Sequence, residues 1–424
     1  SNKIKNKSIF VGIKGKKYDG NEFGSSALRN GALLSITNKK KHGPKTIFKK
    51  DPLKFFHKIS SIFRKSSDTN IISITGSSGK TSVKELTGFC LNKFGKTYFS
   101  KNSFNNKYGV PLSIFNTPEQ SKFAVLEVGM NKKGEINSLT KLIRPDIGLI
   151  TNISYAHIQN FKNLNQIAEA KGEIINNITP NGTMIINMDD KYYKYFLKKT
   201  IQNGLKSITF STKKTKADVS FLSQKKYKNN YLLKIRIKGI TKTFKISKEL
   251  SNYKENILAS LSIICSYFDV KELKKNLFQG FCIPKSRGSL IKYKKGLKKL
   301  TILDESYNSN PLSLKFALER FNLINIETSK KYLLIGDMLE LGAYSKKLHI
   351  EIAKYINKSK VNKTYTYGRH TKHTFNKLKP QIRGRILTNT MDIYNLINKV
   401  LPNNSLLMVK GSNSTGLNKI IQKL

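Results

Sequence analysis

The sequence predicts an α/β protein of three domains: a small N-terminal α/β unit (1–67), a larger central domain (68–286) and a C-terminal, Rossmann-like open α/β domain (287–424). Three observations carry that reading. The chain has 424 residues, too many for one ordinary core. Short apolar runs of strand length alternate with helix-period segments, the pattern of a mostly parallel sheet covered on both faces. Two breaks, a polar one at 65–70 and one holding Pro284 and Gly288, divide that pattern.

In the first unit, 9–11 (Ile-Phe-Val) reads as a strand, 23–30 as a helix stopped by Gly31, 39–44 as a basic turn and 51–64 as a second helix. The central domain opens with a strand at 71–74, a Gly/Ser turn and a helix at 80–93. Strand-like runs recur at 123–128, 147–151 and 183–187, with helical patterns at 135–142 and 164–175 between them. From 206 to 247 the runs shorten and alternate, and 231–237 with 241–246 reads as a hairpin. A helical pair, 255–268 and 270–278, closes the domain. Beyond it, strands at 300–304, 332–335, 364–367 and 406–409 alternate with helices.

Composition narrows the class. Hydrophobic residues are 38% of the chain and aromatics 10%, which suits globular domains. No apolar run is long enough to span a bilayer, and residues 1–7 lead into no apolar segment of the signal-peptide kind. Cys90, Cys265 and Cys282 lie far apart without metal-ligand spacing and read as reduced thiols of a cytoplasmic protein. Lys+Arg 78 against Asp+Glu 26 gives +52, which favours anionic partners. The lysines are spread along the chain, with only short runs at 39–41 and 298–299, so they read as solvated faces and no specific nucleic acid is expected.

The strongest local signal is Thr75–Gly76–Ser77–Ser78–Gly79–Lys80–Thr81–Ser82, directly after a strand and opening a helix. Glycines let the backbone curl so that its N–H groups face a phosphate, and the helix N-terminus adds partial positive charge. Lys80 would neutralise the β/γ-phosphates of ATP, and the Thr81 hydroxyl would sit on Mg²⁺. The usual pattern has a glycine five residues before Gly79, where this chain has Ile74. The central segment is thus predicted to be a P-loop-type ATPase domain with a shortened loop.

That loop resembles the phosphate loop of the Mur ligases, and further segments follow in the same order. Asn102–Ser103–Phe104–Asn105–Asn106 with Gly109–Val110–Pro111–Leu112, Leu126–Glu127–Val128–Gly129–Met130, Arg144–Pro145, Thr151–Asn152–Ile153 with Ala156–His157, and Ala170–Lys171–Gly172–Glu173 fit one branch of that family. So do Asp304–Glu305–Ser306–Tyr307–Asn308–Ser309–Asn310–Pro311, Gly336–Asp337–Met338–Leu339–Glu340–Leu341–Gly342 and Val409–Lys410–Gly411–Ser412. The branch is the one that joins D-alanyl-D-alanine to UDP-N-acetylmuramoyl-tripeptide, in cytoplasmic peptidoglycan precursor synthesis. The resemblance covers nearly the whole chain. It implies an ATP-dependent amide-bond ligase working through an acyl phosphate, with the Mur ligase three-domain architecture and the UDP-substrate domain first.

It also implies roles. Glu127, His157 and Lys171 would join Thr81 in holding two Mg²⁺ ions, Lys171 as a carbamylated lysine. Lys80, Glu127, His157 and Lys171 form the expected catalytic set. Gly76, Ser77, Ser78, Gly79, Lys80, Thr81, Ser82, Asn256, Arg287, Asp304 and Asn308 would bind ATP. Phe10, Asp19, Asn105, Asn106, Asn310, Lys410 and Ser412 would bind the UDP-peptide or the dipeptide. Several positions depart from the family pattern: Asn252–Tyr253 stands for a His-Asn pair, Glu305 for a more frequent Asp, and Asn413 for a frequent arginine. Relatives carry one further β–α unit upstream, and their Asp-Ser-Arg motif corresponds here to Ser1–Asn2, so the first domain is expected to be truncated, processed or unusually short. The chain is expected to act as a monomer. Alternative readings are a folylpolyglutamate-synthase-like ligase, a non-catalytic scaffold of the same fold, and a nucleic-acid-binding P-loop ATPase.

Overall fold

The computed structural model describes residues 4, 8–15, 17–40, 43–100, 103–324 and 330–424. The Ser1–Asn2 correspondence, Lys41 of the basic turn and Asn102 lie outside them. Among the described residues the strands form three sheets, of three, nine and six strands, one in each expected segment.

The first sheet is parallel and built from Ser8–Val11, Ala32–Thr37 and Thr46–Phe48. The last two strands escape sequence reading, since one lacks clean alternation and the other has only three residues. The helix Pro52–Lys65 starts where Asp51 accepts from the Lys54 N–H at 2.9 Å and proline takes the first helical position. Its buried Phe56, Ser60 and Arg64 recur every four residues and face the central domain. Arg64 donates to the carbonyls of Ile143 (2.8 Å) and Arg144 (3.1 Å) and pairs with Asp146 at 3.1 Å. Phe63 stacks on Phe115 with ring centroids 5.3 Å apart. This helix fixes the first unit to the second.

In the central sheet, Asn70–Thr75 lies between Ile147–Ile150 and Phe123–Glu127, all parallel. The carboxyl ends of these strands and of Thr183–Asn187 therefore point the same way, and the loops that follow them gather at one edge, where open α/β sheets bind ligands. The hairpin Asn230–Ile237 and Ile240–Ser247 closes the far side of the sheet antiparallel. The helix expected at 255–268 is Lys254–Ile264. The one expected at 164–175 is Leu164–Gly172 followed by the 3-10 turn Glu173–Asn177.

The second helix of the expected pair, 270–278, is not formed beyond the single 3-10 turn Val270–Glu272. Its carbonyls serve other partners. Lys275 O accepts from the Lys245 N–H on the edge strand at 2.8 Å, and Leu277 O accepts from the Lys93 ammonium at 2.7 Å. Leu273, Leu277 and Phe278 are buried all the same, so the apolar period marked burial and not a helix.

The C-terminal sheet runs in the order Ser289–Lys295, Lys298–Glu305, Ser405–Lys410, Lys331–Gly336, Lys363–Tyr367, Arg383–Leu387. The first pair is an antiparallel hairpin and every later pair is parallel. The carboxyl ends of its strands bring Glu305, Lys410 and Gly336 to the edge that faces the central domain. Among the described residues, no helix is long and apolar enough to cross a membrane.

Candidate active site at the domain junction

The strand Asn70–Thr75 ends at Gly76, whose φ of +143° suits glycine alone. A Cβ there would come within 1.8 Å of Thr151 Oγ1. The loop is pinned from outside. Ser77 N–H donates to Asn152 O at 2.9 Å, Ser78 N–H to Asn152 Oδ1 at 3.0 Å, and Thr151 Oγ1 to Ser78 O at 2.6 Å. These bonds hold Ser77 and Ser78 in one shape. Gly79, at φ +84°, then turns the chain into the helix Lys80–Leu91. Ser82 follows on its first turn and lines the same cleft. The chain thus keeps a strand–loop–helix phosphate cradle although Ile74 replaces the usual first glycine.

Lys80 Nζ donates to Gly76 O at 2.9 Å, folded over the loop it would share with a phosphate. Burial pulls this ammonium below its ordinary pKa and Arg287 adds to that, while Glu127 opposes both. Thr81 Oγ1 donates to Glu127 Oε2 at 2.7 Å, and Asn105 Nδ2 donates to the other carboxylate oxygen at 2.7 Å. A hydroxyl and a carboxylate beside a phosphate cradle are the hard-oxygen donors that Mg²⁺ takes, the remaining positions going to phosphate oxygens and water. Among the described residues no group of three or more His, Cys, Asp or Glu forms an all-protein metal cage, and Mg²⁺ at a nucleotide requires none.

Lys171 is 1% exposed and lies below the cleft rather than on its wall. Burial drives its amine well below the ordinary lysine range, Lys80 pushes the same way, and Glu127 opposes them. Glu173 has a separate part, accepting from the Gly134 and Asn137 N–H groups (2.7 and 2.9 Å) at the start of the helix Glu135–Ile143. His157 is on the cleft wall, with Nδ1 2.6 Å from Glu340 Oε2 of the C-terminal domain.

The C-terminal domain reaches the loop directly. Asn310 caps the helix Pro311–Leu323 through Ser313 N–H and donates its amide to Ser77 O at 3.2 Å. Arg287 stacks 3.9 Å from the Tyr307 ring centroid and donates to Ser103 Oγ at 3.1 Å. Behind them lies a buried charge cluster. Arg320 Nη2 is in tight contact with Glu305 Oε1, and Lys410 Nζ is 3.5 Å from Glu305 Oε2 and donates to Asn308 O at 2.9 Å. The Arg320 guanidinium also sits 4.7 Å from the ring centroid of Tyr253, whose hydroxyl donates to Arg287 O at 3.0 Å. Residues of all three segments line one cleft of about 1520 Å³, from His57 in the first to Ser412 in the last.

The expected residues divide accordingly. Ser77, Ser78, Gly79, Lys80, Ser82, Asn105, Asn106, Glu127, His157, Asn256, Arg287, Asn308, Asn310, Lys410 and Ser412 line this cleft, and Gly76 and Thr81 adjoin it through the bonds above. Asp304 does not line it. Its carboxylate accepts from Ser286 Oγ (2.8 Å) and from Ser306 N (3.1 Å), which fixes the turn after its strand. Asp19 accepts from its neighbour Asn21 and caps a turn in the first unit, and Phe10 lies on that unit's first strand; neither lines the cleft. Asn106 shapes its own turn, accepting from the Tyr108 and Gly109 N–H groups at 3.0 Å each. Sequence reading placed Ser103 in a motif without giving it a role, and missed Arg320 and His57. For Arg320 a signal existed: counted from the cap Asn310, positions 313, 316 and 320 recur at helical spacing and all face the cleft.

Fold and site together define a class, the α/β proteins that cradle phosphates on a short Gly/Ser loop and close a second α/β domain over it. Residues 74–264 match the Mur ligase middle domain, and residues 289–413 match the Mur ligase glutamate ligase domain. The chain belongs to the Mur ligase family. It is similar to the UDP-N-acetylmuramoyl-tripeptide–D-alanyl-D-alanine ligase of Rickettsia prowazekii, at 29% identity with 99% of this chain and 93% of that protein covered. The enzyme of the same name from Buchnera aphidicola subsp. Acyrthosiphon pisum is 31% identical, with 98% and 90% covered. The crystal structure of MurF ligase from Thermotoga maritima in complex with ADP shares the fold, with a TM-score of 0.84 at 22% identity, covering 99% of this chain and 95% of that one.

Proposed function

We propose that this chain is an ATP-dependent ligase that joins D-alanyl-D-alanine to UDP-N-acetylmuramoyl-tripeptide. The observation that carries this reading is the convergence of Lys80, Arg287 and Lys410, from both sides of the domain junction, on one cleft with the phosphate loop. Relatives spanning nearly all of this chain support the UDP-tripeptide over a folate as the carboxylate substrate, and the dipeptide as the amine. In the reaction the tripeptide's terminal carboxylate oxygen attacks the γ-phosphorus of ATP, and the bond to the bridging oxygen breaks to release ADP. The free amine of the dipeptide then attacks the resulting acyl phosphate carbonyl, phosphate leaves, and the amine loses a proton as the amide forms.

Two anions must meet, so alignment and charge neutralisation are the main requirements. The N–H groups of Gly79 and Lys80, at the start of the helix, and the Lys80 ammonium hold the triphosphate, and Arg287 approaches from the C-terminal side. Thr81 and Glu127 would hold a Mg²⁺ ion, which would supply further positive charge at the phosphoryl oxygens. His157 and a carbamylated Lys171 are the proposed holders of a second ion. A buried lysine pulled toward its neutral amine is the form whose lone pair can attack CO₂, losing a proton to give the carbamate. The cleft wall at His57, Lys107 and Tyr108 is the proposed approach of the UDP-peptide, and precursor synthesis in the cytoplasm by a monomer is the setting.

The direct test is phosphate release from ATP with the UDP-tripeptide, with and without D-Ala-D-Ala. Release is expected only with both, and a single ¹³C-carbamate NMR signal from labelled bicarbonate is expected to vanish in Lys171→Ala. Release that ignores the dipeptide would sink the reading. A pH dependence follows from Lys410. Burial pulls it to about 8 from an ordinary 10.5 although Glu305 opposes this. Between those values the unfolded chain binds more protons than the folded one, so this lysine's cost to stability fades as pH rises through the window. Its charge fades too: kcat/KM for the anionic peptide is expected to fall above about pH 8, and Lys410→Arg to shift that limb upward.

A further inference from the structure

The segment Gly336–Asp337–Met338–Leu339–Glu340–Leu341–Gly342 stands out in the sequence, yet Glu340 alone of its side chains meets a group placed in the reaction above. Its geometry shows a different task. The first half is anchored inside the C-terminal domain. Asp337 Oδ1 accepts from His370 N (3.0 Å) and Thr371 N (2.8 Å), and Asp337 O accepts from Ser412 N (3.0 Å). Met338 N donates to His349 Nε2 at 3.1 Å, and Leu339 N to Ser412 Oγ at 2.9 Å. The second half crosses to the central domain. Glu340 O accepts from Gln159 N at 3.1 Å, and Tyr344 Oη donates to Lys162 O at 2.6 Å. Gly342, at φ +53°, lies so close that a Cβ would be 2.9 Å from that of Gln159.

At the centre of this seam both Glu340 (φ +62°) and His157 (φ +60°) hold the left-handed conformation that L residues avoid, and their side chains meet with Nδ1 2.6 Å from Oε2. The contact is an ion-pair approach and not a hydrogen bond, since Nδ1 is buried without a hydrogen-bond partner in this arrangement. A carboxylate at Nδ1 keeps the ring proton there and turns the Nε2 lone pair outward. Here the carboxylate comes from one domain and the ring from another.

We propose that Glu340 is a positioning residue: it sets the His157 ring from across the domain boundary, so the ring takes its working orientation only when the C-terminal domain has docked. The segment is thus a clamp that reports closure to the phosphate site. This rests on the functional reading above, since His157 matters only if the cleft carries out phosphoryl transfer.

The test is a double-mutant cycle of Glu340→Gln and His157→Asn, with hydrogen exchange on the full chain as a second readout. Glu340→Gln alone is expected to lower kcat about 30-fold with the KM for ATP within about twofold, and in the His157→Asn background to change kcat less than about twofold. Amide exchange across 157–162 is expected to quicken at least about fivefold in Glu340→Gln, without ligand. Should that variant fail to fold, Glu340→Asp is measured in the same way, with a smaller loss and the same coupling expected. Losses that multiply independently, a KM effect without a kcat effect, or unchanged exchange overturn the proposal. A wild type without ligase turnover overturns the functional reading instead, and the exchange comparison still decides whether Glu340 holds the seam.

Discussion

Lys80→Ala is expected to lower kcat about 10³-fold, the scale seen when one charge-stabilising group is removed from a preorganised site. The ammonium already sits over the loop, 2.9 Å from Gly76 O, so it needs no rearrangement to meet a phosphate. The loop's shape does not depend on it: the Ser77, Ser78 and Thr151 bonds to and from the 151–154 segment hold the cradle from outside. The variant should therefore keep its melting temperature within a few degrees while losing turnover. Single-turnover phosphate release with both substrates, beside a thermal melt, separates the two. A variant that loses turnover only by unfolding would show that Lys80 is structural.

Glu305→Gln is expected to cost about 3 kcal/mol of stability, because it leaves two buried cations without their counter-charge. Burial alone would push this carboxyl up. Arg320 and then Lys410 more than offset that and leave it below the ordinary carboxylate range. The sign follows: the stabilisation is fully present above the unfolded carboxyl's pKa and is lost as pH falls through the lower, folded value. Urea midpoints for wild type and variant at neutral pH measure the loss directly. Equal midpoints would show that Arg320 and Lys410 find other partners. Activity should fall too, since Lys410 holds Asn308 O at the cleft wall.

The phosphate cradle was legible because its chemistry is local: a strand, a glycine at each bend and a lysine all lie within ten residues. The alternating strands and helices were legible because burial on both faces writes apolar runs of the right length. What resisted reading depends on contacts between distant segments. Residues 270–278 carry a helical apolar period, but their carbonyls are claimed by Lys245 and Lys93, which no local rule anticipates. Asp304 and Asp19 look like cleft carboxylates by their motifs, whereas each accepts from residues adjacent to it in the fold. Arg320, ten residues past Asn310, belongs to the site because its helix points back across the junction. The Glu340–His157 contact pairs motifs nearly two hundred residues apart, each recognised singly and neither hinting at the other.

In the proposed mechanism the peptide carboxylate is activated as an acyl phosphate in the cleft between the phosphate loop and Lys410. Turnover of UDP-tripeptide labelled with ¹⁸O in its terminal carboxylate tests this most directly. If the carboxylate attacks the γ-phosphorus and phosphate is later displaced by the dipeptide amine, each phosphate released carries one ¹⁸O from that carboxylate. Phosphate released without the label, alongside amide product, would rule out the acyl phosphate.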